Sequence, residues 1–169
     1  QFGFDSGVEF PPHNLQSKNL AKNIAFRDPF AGYVVDYREI ATTYLDRRYQ
    51  HPNVFRGVFP AWDNTPRTGN RGVIVLDTSP ENYECWLAQA ISRTTQDFPG
   101  RERLVFINAW NEWAEGCHLE PDRVHGRAFL EATLRAKNGT STVAAAWPET
   151  AAAAAASADE APVQAGRDR

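Results

Sequence analysis

Short apolar runs and amphipathic helical patterns alternate along this chain, and that alternation limits its fold more than any other feature. Residues 32–37 (GYVVDY) are β-branched and aromatic, as in a buried strand, and residues 38–49 follow with Ile40, Tyr44 and Arg47 at helical spacing. Residues 53–60 (NVFRGVFP) and 71–77 (RGVIVLD) predict two further strands. Ser79 is placed to cap a helix with Pro80 at its first position, and Tyr83, Trp86, Leu87, Ala90 and Ile91 recur at the helical period. Residues 103–109 (RLVFINA) predict a strand buried on both faces, and residues 126–137 an amphipathic helix with Phe129, Leu130 and Leu134 inward. Strand and helix in alternation argue for a parallel α/β arrangement, in which functional groups collect at the carboxyl ends of the strands.

One core is the reasonable expectation for 169 residues of which 42% are hydrophobic. We place that unit at residues 1–140. Residues 141–169 are alanine-rich with little apolar bulk, which predicts a frayed or disordered tail. The net charge of −3 comes from interspersed signs with no long basic block, so nucleic acid is not an expected partner. No apolar stretch has the roughly 18–20 residues of a bilayer crossing. Cys85 and Cys117 lack CxxC spacing and are expected to be free thiols. The expected compartment is the cytoplasm. Gln1 in place of Met, and a strand-like run directly after it, point to a processed or partial chain that has lost any targeting segment.

The chemistry concentrates in residues 105–122 (VFINAWNEWAEGCHLEPD). Glu112 and Glu115 follow a strand three residues apart, where a turn points both to one side. Cleaving or transferring a sugar needs an acid for the leaving oxygen and a second carboxylate as base or nucleophile, with surroundings that separate their pKa values. Trp110 and Trp113 supply apolar walls, and indole rings stack on pyranose faces. A metal reading starts from the ExxH spacing of Glu115 and His118. A di-iron site needs a second such pair on bundle helices and a zinc protease needs HExxH, so no metal and no cofactor are expected.

FINAWNEWAEGCHLEPD with GRAFLEATLRA resembles the closing segment of the WbsX-like glycosyltransferases, also described as glycoside-hydrolase-family-99-like. FDSGVEFPPHN, FRGVFPAWDNTPR and RGVIVLDTSPENYECWLAQAI resemble other blocks of that family in the same order, over about residues 2 to 137. The resemblance implies a (β/α)8 barrel of which this chain is the C-terminal portion, about three βα units. Family 99 hydrolases are endo-α-mannosidases whose NEWxEG motif carries two catalytic glutamates. By that resemblance Glu112 is the base on the sugar 2-hydroxyl in an epoxide-type route, Glu115 is the general acid/base, and the outcome is net retention. Where those hydrolases typically have His, this chain has Ala114, as do the WbsX-like proteins. That departure leaves transfer and hydrolysis both open. WbsX-like proteins are associated with gene clusters for lipopolysaccharide O-antigen and other surface polysaccharides, which implies a role there.

Trp110, Asn111 and Trp113 are the expected sugar-binding neighbours of the pair. Asp63, Asn64 and Arg67 in PAWDNTPR are further candidates with Trp62 as a stacking face, against the alternative of a turn in which Asp63 and Asn64 bond their own backbone. Glu9 and His13, in a proline-fixed loop after the first strand-like run, complete the set. Asp36 and Arg38 are expected to form an ion pair, and Cys117 to be a buried thiol. The competing readings are a non-catalytic carbohydrate-binding module and a truncated barrel without activity of its own. A partial barrel leaves strand edges and apolar surface open, so the expected partner is the missing N-terminal half or a second copy.

Overall fold

The computed structural model describes residues 3–13, 17–50, 53–100, 103–141 and 147. Strand β1 (Gly7–Val8) precedes β2 (Tyr33–Asp36), in which Val34 and Val35 are fully buried. Helix α1 (Tyr37–Asp46) starts directly after β2. Asp36 caps it, its Oδ1 accepting the backbone N–H groups of Arg38 at 2.8 Å and Glu39 at 3.0 Å. The expected Asp36–Arg38 ion pair is therefore replaced by a cap. The helix's orphan N–H groups are closer to Asp36 than any guanidinium tip, and a cap of this kind stabilises a helix by about 1 kcal/mol.

Strand β3 (Val54–Val58), the short helix α2 (Thr65–Thr68), β4 (Val73–Leu76) and helix α3 (Pro80–Asp97) follow. Ser79 caps α3 as predicted, its Oγ accepting from the Asn82 N–H at 3.2 Å, with Pro80 at the first turn. Strand β5 (Val105–Ile107) leads to the small antiparallel pair β6 (Asn111–Glu112) and β7 (Cys117–His118). Helix α4 (Ala128–Asn138) closes the described chain, ended by Gly139 in the left-handed region at φ 67°.

The five longer-range strands are all parallel, which makes the fold α/β as the alternation predicts. They do not form one continuous wall. β1, β3 and β5 make one sheet in that order, and β2 and β4 make a second. The backbone at 62–64 joins them: the Val75 N–H donates to the Trp62 carbonyl at 2.9 Å, and Asp63 bridges antiparallel to Ile74.

Aromatic side chains from both sheets and both long helices meet in the core. Trp86 of α3 lies edge-on to Tyr37 at 5.4 Å and to Phe59 at 5.2 Å, and the buried Tyr37 hydroxyl donates to the Phe59 carbonyl at 2.5 Å. Helices α3 and α4 pack through Tyr83 on Phe129 and through Arg135, which grips the buried Glu84 carboxylate with Nε at 3.0 Å and Nη2 at 2.7 Å. The predicted tail lies outside the described residues, apart from Ser141 and from Trp147, which packs half-buried against the core.

Arg56 is a buried cation on β3, and its partners come from three other elements. Nη1 donates to the Tyr44 carbonyl at 2.8 Å and faces Glu9 at 3.4 Å, while Nη2 reaches Asp97 at 2.9 Å. Glu9 fills its remaining capacity with the Gly57 N–H at 3.0 Å and the Tyr49 hydroxyl at 2.8 Å. Burial still raises the Glu9 pKa above its ordinary 4.5, against the pull of Gly57, Tyr49 and Arg56. A raised carboxyl pKa contributes stability below 4.5 that is lost as pH climbs through the raised value. Arg56→Met strands Glu9 without its cation, and urea unfolding should show a loss of about 3–5 kcal/mol at pH 7. The gap to the parent protein should narrow at pH 5, where Glu9 protonates more readily in the variant.

Candidate active site

The loops that follow β1, β3 and β5 leave the same end of their sheet and are tied to one another. Asn108, just past β5, donates from Nδ2 to the Pro11 carbonyl at 3.0 Å. His13 in the β1 loop stacks on Phe10 and meets the edge of Trp62 from the β3 loop at 6.0 Å. The Asp63 N–H donates to the Glu115 carbonyl at 2.8 Å. Gly116 makes that last approach possible. It holds φ 58°, and a Cβ added there would stand 3.0 Å from the Asp63 nitrogen.

Glu112 ends β6, residues Trp113–Glu115 form a single 3-10 turn, and Gly116 returns the chain into β7. The Trp110 carbonyl accepts the N–H groups of both Leu119 at 2.9 Å and Glu120 at 3.1 Å, which closes the hairpin at its base. The two carboxylates have different surroundings. Glu112 is exposed, whereas the Glu115 side chain is 13% exposed and its Oε1 forms an ion pair with Nη2 of Arg67. The two thus differ in depth and in the Arg67 contact. Trp110 and Trp113 are 53% and 48% exposed and bracket Asn111 and Glu112 in sequence, both of which are exposed.

Other expected ligands lie elsewhere. Trp62 is 4% exposed and packs on Phe59, so its faces belong to the core and not to a stacking surface. Its backbone runs along β4, which turns the ring inward. Glu9 is buried with both oxygens engaged, and we correct it from sugar ligand to structural anion of the Arg56 cluster. Asp63 accepts from the Thr65 N–H and hydroxyl at 2.9 and 2.6 Å, and Asn64 from the Val73 N–H at 2.6 Å, so the self-bonded turn is the observed state. His13 is exposed at the margin. Cys117 is a buried thiol that donates to the Asn108 carbonyl at 2.8 Å, and burial pushes it up to about 12. His118 and Glu120 were missed as participants. His118 stacks on Trp113 with ring centroids 3.7 Å apart, and Glu120 accepts the Trp113 indole N–H at 2.6 Å. The HLEPD string was the available signal, but its meaning depends on hairpin register.

With Glu115 turned to Arg67 and His118 turned to Asp122, the ExxH spacing does not converge on one point. Among the described residues, no three His, Cys, Asp or Glu side chains gather as metal ligands. None of the described helices is long and apolar enough to cross a membrane.

The model of a family described as Glycosyltransferase WbsX matches residues 1–133. The chain belongs to that family. Two relatives, each described as the uncharacterized protein WxcX, come from two strains of Xanthomonas campestris pv. campestris. Each is 43% identical over 135 residues, which is 79% of this chain and 19% of the relative. The chain thus spans about a fifth of the length of these relatives, 19% in each case. No solved structure matches it. The WbsX family expected from the NEWAEG block and its companion blocks is the family found.

In this WbsX chain the Gly116 turn sets where Glu115 lies. Gly116→Ala should cost about 1–2 kcal/mol from the left-handed backbone alone. It should also cost the Asp63 amide its protection in hydrogen exchange, because the added Cβ pushes the β3 loop away; unchanged protection would contradict the close approach.

Proposed function

We propose that the protein containing this chain acts on glycosidic bonds, by glycosyl transfer or retaining hydrolysis, in the metabolism of a surface polysaccharide, and that Glu112 and Glu115 carry the reaction. One observation supports this most: three loops from parallel strand ends hold an Arg-paired carboxylate and an open carboxylate in one turn that also carries exposed indoles. Residues 1–140 are the C-terminal portion of a (β/α)8 catalytic barrel in this reading. Strands β1, β3 and β5 are its closing staves in this reading, and the rest of the longer protein completes the wall.

Glu115 gives its proton to the departing glycosidic oxygen while Glu112 takes the proton of the sugar 2-hydroxyl, whose oxygen closes on C1. The ionised Glu115 then takes a proton from water or an acceptor hydroxyl, which opens the three-membered ring at C1, and Glu112 returns its proton to O2. Two displacements at C1 give net retention. Arg67 contacts Glu115 through Oε1. Trp110, Trp113 and Asn111 bind the sugar beside the pair, with Arg67 and His13 at the rim.

A second reading follows from the open strand edges at β1 and β5 and from Leu104 and Phe106, 46% and 42% exposed on or beside β5: the isolated chain is an incomplete barrel without activity of its own. Activity is therefore tested in the full-length protein. Glu112→Gln and Glu115→Gln should each lower turnover by at least about 10²–10⁴-fold while oligosaccharide binding stays measurable. Full turnover in either variant would falsify the assignment. Product formed with water alone assigns hydrolysis, and product formed only with an activated donor assigns transfer.

A further inference from the structure

Trp113 is half exposed yet unusually fixed. One face of its indole is covered by the His118 imidazole, with ring centroids 3.7 Å apart and planes inclined by 21°. Its edge is fixed because Nε1 donates to Glu120 Oε2 at 2.6 Å. Even with one face covered and the Nε1 edge bonded, the residue is 48% exposed. Trp113 follows Glu112 directly and opens the turn that ends at Glu115.

The imidazole is held in turn. An ionised carboxylate only accepts, so His118 Nε2–H donates to Asp122 Oδ2 at 3.2 Å. The other Asp122 oxygen accepts the backbone N–H groups of Val124 at 2.8 Å and His125 at 2.5 Å. The result is a continuous stack running from the 122–126 turn through Asp122 and His118 to Trp113. A tryptophan that served only to fill space would not need a bonded edge and a covered face while remaining half exposed. A ring held in advance loses little freedom when a sugar stacks on it, which is how preorganisation turns contact area into affinity.

We propose that His118 and Glu120 are positioning residues that hold Trp113 as a one-sided platform, on which the pyranose adjoining the Glu112–Glu115 pair stacks. The proposal rests on the carbohydrate-active reading above.

The test uses the full-length protein carrying Glu115→Gln, so that turnover does not consume the probe. The probe is a set of three- to six-sugar oligosaccharides cut from the surface polysaccharide of the producing cells, and the readout is the dissociation constant from titration calorimetry. His118→Ala should weaken binding about tenfold, by loss of the stack that orients the platform. His118→Phe, which restores a stacking ring without the Asp122 bond, should recover most of it. Trp113→Ala should weaken binding at least as much, and adding His118→Ala to Trp113→Ala should cost nothing further. Unfolding temperature separates these effects from general destabilisation. Unchanged affinity in His118→Ala, no recovery in His118→Phe, or additive losses in the double variant overturns the platform. So does absence of binding by the parent Glu115→Gln protein. Failure of the catalytic reading shows up separately, as turnover retained by Glu115→Gln.

Discussion

The candidate site depends on a backbone contact between two loops. Asp63 N–H meets the Glu115 carbonyl at 2.8 Å, and that approach needs a residue without Cβ at position 116. From this bond follow the placement of Arg67 on Glu115 and the direction of the 3-10 turn that carries both candidate carboxylates. The reversal into β7 that brings His118 beneath Trp113 follows from the same turn. A side chain at 116 would have to push away the loop that supplies the arginine. A single glycine thus couples the geometry of the carboxylate pair to the β3 loop.

The sheet also separates two kinds of polar chemistry. In a βα unit the helix runs back against the strand, so the ends of α1 and α3 lie toward the strand starts. Arg56 binds there, to the Tyr44 carbonyl at the end of α1 and to Asp97 at the end of α3, and it is buried and fully engaged. At the other end the strand-following loops leave a carboxylate and two indoles open to solvent. Buried ionic groups at one end serve the fold and the candidate site lies at the other, a division that parallel α/β proteins repeat.

Much of this was legible in advance, for physical reasons. Periodicity located β2, β3, β4, β5, α1, α3 and α4, because each buries a face that only one backbone geometry can keep inward. Ser79 and Pro80 announced the start of α3 by local chemistry alone. The pairing of β4 with β2 outside the main sheet was not legible, since strand neighbours are set by packing between distant segments. Glu9 and Trp62 were misplaced for the same reason. Each lies in a loop, where no period reports direction, and each meets a partner far along the chain, Arg56 in one case and His13 in the other. Asp63 and Asn64 had the turn chemistry that they were observed to use. The carboxylate pair and its indoles were visible as a cluster, while Arg67 as the partner of Glu115 required the three-dimensional contact.

In the proposed reaction two carboxylates in one turn move the protons for two successive displacements at the anomeric carbon. The most direct measurement is proton NMR of the first product formed by the full-length protein, read before mutarotation. Retention of the substrate's anomeric configuration is the predicted result. An inverted product would contradict the shared roles of Glu112 and Glu115.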